Sequence, residues 1–284
     1  QLSLKEGAGP GQIELTGRLH GFDISSIDKY IPTNTPPDLR HWLTHSLLGG
    51  TLDDTSLRLK GNLQDFPFAA NDPQASRQGE FVVKGRLKQA KLDFSAGELA
   101  DGKPLWPLIE QINGQIIFDR AKMDILADTA RTQGVDLKKV RAVIPDLIHH
   151  QAELQIDGQA NGQLQQMLGY VAASPVRGWL SHFLDDTKAS AASGLHLKLN
   201  IPLNHVIDTK VNGQLQFMNN EVSLQPGIPV VSGVSGKLEF TETGVSLGPL
   251  RGQALGGAIA ISGGSQKDGS IRVRLDGTAS AEGL

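Results

Sequence analysis

Residues 13–21 read Ile-Glu-Leu-Thr-Gly-Arg-Leu-His-Gly, and the same pattern of apolar and glycine positions returns later in the chain. Residues 154–162 read Leu-Gln-Ile-Asp-Gly-Gln-Ala-Asn-Gly, and residues 273–279 read Val-Arg-Leu-Asp-Gly-Thr-Ala. Self-similarity of this kind is the sequence signature of a repeat architecture. Such an architecture predicts further matches in the same order.

Two further pairs of segments support the repeat. Residues 42–47, Trp-Leu-Thr-His-Ser-Leu, are matched by residues 179–184, Trp-Leu-Ser-His-Phe-Leu. The segment 106–118, which begins Trp-Pro, is matched by the segment 228–240, which begins Ile-Pro. The order predicts the end of one unit in residues 1–12, a unit over 13–153, a second over 154–272 and the start of a third in 273–284. Units joined in this way predict an elongated structure.

Most segments alternate with a period of two, which is typical of strands with one apolar face. Residues 81–88 place Phe81, Val83 and Leu87 on one face and basic side chains on the other. Apolar residues also return 11 and 13 positions after Ile112, Val211 and Val234, which predicts three hairpins of one layout. Their turns are expected at Asp119-Arg120, Asn219-Asn220 and Thr243-Gly244.

Helical patterns are short. They are expected near residues 36–48, with Gly49-Gly50 as the stop, and near residues 162–170 and 175–186. Both sets occupy the same place in their unit. We interpret them as a cap over one end of the apolar face, anchored by Trp42 and Trp179.

A large antiparallel sheet with one apolar face needs a cover. The sheet can close on itself as a sandwich or barrel, or curl into a trough that receives something apolar. Glycines recur in mid-strand on the apolar face, where they favour bends or close approach of another group; these are Gly17, Gly61, Gly85, Gly114, Gly158, Gly213, Gly236 and Gly277. We favour a mainly β fold of elongated antiparallel repeats curled into a groove, with short capping helices.

Composition excludes several classes. The chain of 284 residues has a net charge of -3, which gives no electrostatic signature for nucleic acid. It has no cysteine, and therefore no disulfide, thiolate metal site or cysteine nucleophile. No apolar run reaches the roughly 20 residues that span a bilayer. The sequence opens on Gln1 without a signal peptide, so we expect a piece of a longer protein, with any membrane anchor outside it.

No catalytic or metal motif is convincing. Residues 97–103 resemble a phosphate-binding loop, but Pro104 stands where a Ser or Thr is needed. His41 and His45 have the i, i+4 spacing of metal ligands, but the matching helix keeps only His182. His149-His150 and the pairs Asp53-Asp54 and Asp185-Asp186 are interpreted as solvated turns and helix exits, and the Lys84-Arg86-Lys88 row as a solvated sheet face. We expect neither an enzyme nor a cofactor nor a metal.

One run of residues resembles a known family. It begins at Tyr30-Ile31-Pro32 and includes residues 61–68, Gly-Asn-Leu-Gln-Asp-Phe-Pro-Phe, followed by Trp106-Pro107. The run is similar to the AsmA-like proteins of Gram-negative envelopes. That resemblance implies a periplasmic rod of repeating β-grooves on an inner-membrane-anchored protein, which carries phospholipid acyl chains between the inner and outer membranes.

The first hypothesis is therefore a lipid conduit whose inward strand residues shield acyl chains. Membrane contacts would be made by parts of the protein outside this sequence. Strand parity predicts this groove lining: Leu59, Leu63, Phe81, Val83, Leu87, Ile112, Ile116, Val211, Leu215, Val234 and Leu238. The alternative is a structural or binding scaffold of closed β-sandwich repeats in the envelope, without lipid.

Overall fold

The computed structural model describes residues 2–5, 11–31, 37–68, 79–148 and 151–281. Its first strands are β1 (Leu2–Lys5), β2 (Gln12–Leu19), β3 (Phe22–Asp23), β4 (Leu47–Asn62), β5 (Glu80–Leu92), β6 (Leu99–Ala100), β7 (Lys103–Pro104), β8 (Ile109–Asp119) and β9 (Lys122–Thr132). The remaining strands are β10 (Val135–Ile144), β11 (Glu153–Gln163), β12 (Lys188–Ala189), β13 (Ala192–Pro202), β14 (Lys210–Ser223), β15 (Val231–Thr241), β16 (Gly244–Ala254), β17 (Gly257–Ser265) and β18 (Ile271–Gly277). The helices are α1 (Pro37–Ser46), α2 (Leu164–Ala172) and α3 (Val176–Trp179), with 3₁₀ turns at Ile24–Tyr30, Leu63–Asp65 and Val206–Asp208.

One antiparallel sheet contains all the described strands except the small β6-β7 hairpin. Its strands follow the order of the chain from β1 to β18, with β3 added beside β4 and β12 beside β14. The two outermost strands, β1 and β18, are not paired with each other in the described part of the chain. The sheet is therefore open, which agrees with the predicted groove and excludes a closed barrel for these residues.

The hairpin predicted around Asn219-Asn220 is wrong, because β14 runs straight through both residues. Asn219 has a left-handed φ of 62°, which makes a bulge rather than a turn. The fully buried side chain of Asn220 accepts a hydrogen bond from the Met218 amide at 2.7 Å and donates one to the Ser190 carbonyl at 2.7 Å. These bonds satisfy a buried amide and hold the bulged strand in place. The predicted turns at Asp119-Arg120 and Thr243-Gly244 do join β8 to β9 and β15 to β16.

The helices form where they are expected; α1 and α3 are shorter than predicted, whereas α2 has the predicted length and begins two residues later. Helix α1 ends at Ser46, before Gly49-Gly50, because the backbone from Leu47 onward pairs with β5. Helix α3 contains only four residues. The predicted tryptophan anchors are not buried: Trp179 is 70% exposed and Trp42 is 37% exposed. The buried residue of the cap is instead Leu164, which begins α2.

Glycines on the apolar face make room for aromatic rings. Gly213 pairs directly with Phe240, and the phenyl ring occupies the space that a side chain at Gly213 would need. Gly61 has φ of +131°, and a Cβ there would lie 2.8 Å from the ring of the fully buried Phe68. The interpretation of mid-strand glycine as a site of close approach holds at both positions.

Candidate apolar groove

The apolar face is organised as rows of directly paired residues that cross the strands. Directly paired residues of an antiparallel sheet project from the same face. One row crosses six strands, from β8 to β14, and consists of Ile116, Ile125, Ala142, Ile156, Leu199 and Val211. Each of these residues is only half-buried. The row is therefore an apolar strip that the protein itself leaves partly open.

Two parallel rows extend this face toward the two ends of the sheet. The row toward the N-terminal strands contains Gly17, Leu57, Val83, Phe118, Met123 and Ile144. The row toward the C-terminal strands contains Leu137, Ala160, Leu195, Leu215, Leu238 and Leu247. Together the three rows make the apolar side of the sheet continuous from β2 to β16.

Most residues predicted as groove lining lie on this face. Leu59 pairs with Phe81, Leu87 with Gly114, and Ile112 with Ala90. Val83, Ile116, Val211, Leu215 and Leu238 lie in the rows themselves, and Val234 lies beside them in a buried cluster. Leu63 differs, because β4 ends at Asn62 and Leu63 begins a 3₁₀ turn. The amide of Leu63 donates a hydrogen bond to the Gly11 carbonyl at 3.1 Å.

Strands β9, β10 and β11 supply row members that the sequence reasoning missed. Ile125, Ala142 and Ile156 lie at the centre of the six-strand row. The signal was present for Ile156, because residues 154–158 alternate between apolar and polar positions, but not for Ala142, because residues 140–144 read Val-Arg-Ala-Val-Ile.

The opposite face is polar and carries ion pairs between neighbouring strands. Arg141 binds Asp124 through two hydrogen bonds, with Nε to Oδ1 at 3.0 Å, and these bonds hold the pKa of the Asp124 carboxyl below its usual range. Asp157 accepts a hydrogen bond at 2.7 Å from His196 Nε2, which lowers the pKa of Asp157. A face of this composition is well solvated, so the two sides of the sheet are chemically distinct.

The helices α1, α2 and α3 and the segment 93–108 all lie where the strands end on one side of the sheet. We call this row of strand ends the capped edge. The Asp93 amide bonds the Ser46 carbonyl at 2.8 Å, which joins that segment to the end of α1. Helix α2 covers part of the apolar face there. Leu164 and Met167 pack in a cluster with Phe217, Val234 and Leu250. The apolar face is thus covered near this edge and more open along the six-strand row.

An aromatic cluster ties the segment 93–108 to the helices after β11. The ring of Trp106 lies 6.4 Å from Phe94, 6.5 Å from Tyr170 and 5.8 Å from Trp179, measured between centroids. Burial raises the pKa of Tyr170 to about 12. The cluster spans two segments that are far apart in the sequence, so it fixes the α2–α3 cap relative to β8.

The remaining candidate sites offer little chemistry. His20, Asp53 and Asp54 lie close enough to share a cation, but Asp53 already binds Lys88 Nζ at 2.6 Å, and this bond contributes most to lowering the pKa of Asp53 to about 2. Asp53 and Asp54 both lie within β4, so this pair is not at a helix exit as predicted. The rings of His41 and His45 are stacked at 4.1 Å. His149-His150 lies outside the described residues.

The phosphate-loop-like segment and the Asp185-Asp186 pair show no ligand-binding geometry in the described residues. Residues 97–103 form the β6-β7 hairpin, which has no helix to hold a phosphate. Asp185 is bound by Arg177, with Nε to Oδ1 at 2.9 Å, and this pairing contributes to a pKa of about 2 for Asp185. Across the described ranges, none of the helices is long and apolar enough to cross a bilayer.

A family model described as "YhdP protein" matches residues 1–284. The chain belongs to the YhdP family. This agrees with the resemblance to AsmA-like envelope proteins. A curated relative, the intermembrane phospholipid transporter YhdP of Escherichia coli (strain K12), is 27% identical over 229 residues. The match covers 80% of this chain and 17% of the relative, so the chain spans about a sixth of that protein. No solved structure matches the chain.

Proposed function

We propose that this chain forms part of a phospholipid-transfer bridge, in which the apolar face of the sheet shields acyl chains from water. The observation that carries the proposal is the row from Ile116 to Val211, whose six apolar side chains remain half-buried in an open sheet. The transporter name of the relative supports the same role.

The physical basis is simple. Burial of an acyl chain against these rows contributes about 0.8 kcal/mol per methylene. The interaction is non-directional, so a chain can move from one row to the next without breaking a specific polar contact. The rows continue from strand to strand, so the favourable environment is uninterrupted along the sheet. Head groups would stay in water at the open side.

We assign the lining by row. It includes the predicted residues Leu59, Phe81, Val83, Leu87, Ile112, Ile116, Val211, Leu215, Val234 and Leu238, and adds Ile125, Ala142, Ile156 and Leu199. Leu63 is left out because it lies in a 3₁₀ turn. The buried Val234 lines the part that α2 covers. This assignment makes the centre of the sheet, from β8 to β14, the most accessible stretch for lipid.

The wider setting is also part of the proposal. The two repeats, residues 13–153 and 154–272, would be successive lengths of one groove in the periplasm. Contact with the inner and outer membranes would be made by parts of the protein outside this sequence. The groove has no need of a catalytic centre or cofactor, and we propose a transport role rather than an enzymatic one.

The test uses two adjacent residues of β9. Ile125 lies in the apolar row, whereas Leu126 pairs with Gln115 and Arg141 on the polar face and is 40% exposed. A photo-crosslinking amino acid is placed at each position, the protein is illuminated in cells, and lipid adducts are measured by mass spectrometry. We expect phospholipid adducts at position 125 and few at position 126.

Leu126 is a demanding control, because it is apolar and more exposed than an inward residue. Equal capture at the two positions would contradict the groove. A protein that purifies without phospholipid and captures none at position 125 would support the lipid-free scaffold instead.

A further inference from the structure

The polar face of β2, β4 and β5 carries a cross-strand row with an unbalanced charge. Arg18 pairs directly with Ser56, and Ser56 pairs directly with Lys84. Two cations therefore flank one hydroxyl on the same face. Each cation is directly opposite the hydroxyl of Ser56, so neither faces a carboxylate on β4 in this row.

The adjacent rows show how this face is usually balanced. Glu14 pairs with Lys60, and Lys60 pairs with Glu80, so an acid lies on each side of the base. Arg58 Nε also binds Glu80 Oε2 at 2.7 Å. Within the described ranges, neither Arg18 nor Lys84 forms an ion pair within 4.0 Å. The charge imbalance is thus local to one row.

The same row borders an open depression of about 540 Å³ on the polar face. Its polar lining is made by Thr16, Arg18, Ser56, Arg58, Glu80 and Lys84. The depression has the size of a small-molecule site, and three of its side chains are basic. Its single acid, Glu80, is already paired with Arg58.

We propose that this depression binds a phosphate group, with Arg18 and Lys84 on either side of the anion and Ser56 beneath it. A guanidinium presents a fork of donors to two phosphate oxygens, and an ammonium supplies a compact charge. The serine hydroxyl donates a further hydrogen bond. The ligand class is a phosphate monoester or diester, either free in solution or in a lipid head group.

The corresponding row of the second proposed repeat lacks these cations. Gly17 and Gly158 occupy equivalent positions in the repeat, so the residues after them, Arg18 and Gln159, begin equivalent rows. Gln159 pairs with His196, which pairs with Gln214. His196 binds Asp157 and Gln214 binds Glu239, so this row is satisfied by its own neighbours. The anion site is therefore a feature of one repeat.

This site is independent of the acyl-chain groove, because Arg18, Ser56 and Lys84 lie on the opposite face from Gly17, Leu57 and Val83. A lipid in the groove cannot place its phosphate there through the sheet. The proposal can therefore hold or fail without regard to phospholipid transport.

The experiment compares two double variants of the whole chain that lose the same charge. Arg18→Gln with Lys84→Gln removes the cations of the site. Lys60→Gln with Lys88→Gln removes two cations of the same face that are already paired, with Glu14 and Asp53. Binding of inorganic phosphate is measured by calorimetry at low ionic strength, and binding to phosphatidylglycerol and phosphatidylcholine vesicles is measured by flotation.

We expect saturable binding of at least one of the two phosphate sources. The Arg18→Gln/Lys84→Gln variant should bind about tenfold more weakly, because hydrogen bonds to charged groups are lost. The Lys60→Gln/Lys88→Gln variant should stay within about twofold, because its cations are already neutralised by carboxylates. Binding of inorganic phosphate identifies a site for free anions, and binding of vesicles alone identifies a lipid phosphate.

Two results would overturn the site. One is the absence of saturable binding of both phosphate sources to the unmodified chain. The other is equal weakening in the two double variants, which would show that only the overall charge matters. Unchanged circular dichroism and thermal midpoints in both variants establish that the fold is intact.

Discussion

The indole of Trp106 meets the indole of Trp179 edge to face, with ring centroids 5.8 Å apart and planes inclined at 64°. Trp106 lies just before β8, and Trp179 ends α3, which follows β11. The contact therefore spans strands β9 and β10 along the capped edge. It links a loop of the first proposed repeat to the helical cap of the second, and it holds that cap against the end of the sheet.

Replacement of Trp106 by alanine should lower the free energy of unfolding by about 2–3 kcal/mol, because the ring contacts three other aromatic residues. Urea denaturation followed by circular dichroism measures the change. Trp42→Ala is the matched control, since Trp42 forms no ring pair with another described aromatic residue and is partly exposed. A loss at Trp42 as large as the loss at Trp106 would show that the cluster has no special role.

Replacement of Gly213 by valine should cost about 1–3 kcal/mol, because the new side chain displaces the ring of Phe240 that lies over it. Gly49→Val is the control, since a Cβ at Gly49, also in a strand, meets no atom within 4 Å. Thermal denaturation measures both. The double variant Gly213→Val/Phe240→Ala should lose less than the sum of the single changes; strict additivity would argue against direct contact.

Asp124→Asn should destabilise the protein at neutral pH by roughly 1–3 kcal/mol, because the variant loses charge-assisted hydrogen bonds from Arg141. The pKa of Asp124 is lowered in the fold, chiefly by Arg141. Its contribution is therefore complete above the usual aspartate pKa, near pH 4, and is lost as the pH falls below it.

Urea midpoints measured at pH 7 and at pH 2 test this sign. The difference between Asp124→Asn and the unmodified chain should be large at pH 7 and should shrink at pH 2. Asp136→Asn is the control, because its pair with Arg131 is exposed and contributes little at either pH. A difference that stays constant with pH would exclude the charged pair as its source.

Ala142→Trp should preserve the fold while reducing bound phospholipid. Ala142 lies at the centre of the six-strand row, between Ile125 and Ile156, and its side of the sheet is open. In a closed core such a large side chain would cost several kcal/mol, whereas in a trough it can project into the space that lipid would occupy. We expect a thermal midpoint within about 3 °C of the unmodified chain, since surface changes alter stability little.

The readout for Ala142→Trp is phospholipid per mole of purified protein, measured by mass spectrometry. Val143→Trp, one residue along on the polar face, is the control and should retain the lipid. An unfolded Ala142→Trp protein would indicate a closed core, and undiminished lipid in a folded one would remove this row from the path.

The sequence was sufficient for the features that depend on local pattern. Period-two alternation predicted the strands of the apolar face, and turn chemistry placed Asp119-Arg120 and Thr243-Gly244 correctly. It failed at Asn219-Asn220, where the same residues that favour a turn form a bulge. The difference lies in the carbonyls of residues 190–192, which accept hydrogen bonds from Asn220 Nδ2 and are distant in sequence.

The lining of the candidate groove was likewise predicted only where it depends on local pattern. Parity placed Leu59, Phe81 and Ile116 on the apolar face, because parity is a local property of a strand. It could not show that Leu63 leaves the strand for a 3₁₀ turn, since that depends on the path of the chain toward Phe68. Nor could it find the partners of Trp106, which come together only when the sheet has formed.

The strand order has a consequence for folding and for evolution. Because each strand in the path is bonded mainly to its neighbours along the chain, the sheet can grow outward from any hairpin. Each strand adds about 4.8 Å to the axis across the strands, so a hairpin lengthens the sheet by roughly 10 Å. Gain or loss of a hairpin would therefore change the reach of such a protein in fixed increments, while leaving the cross-section the same.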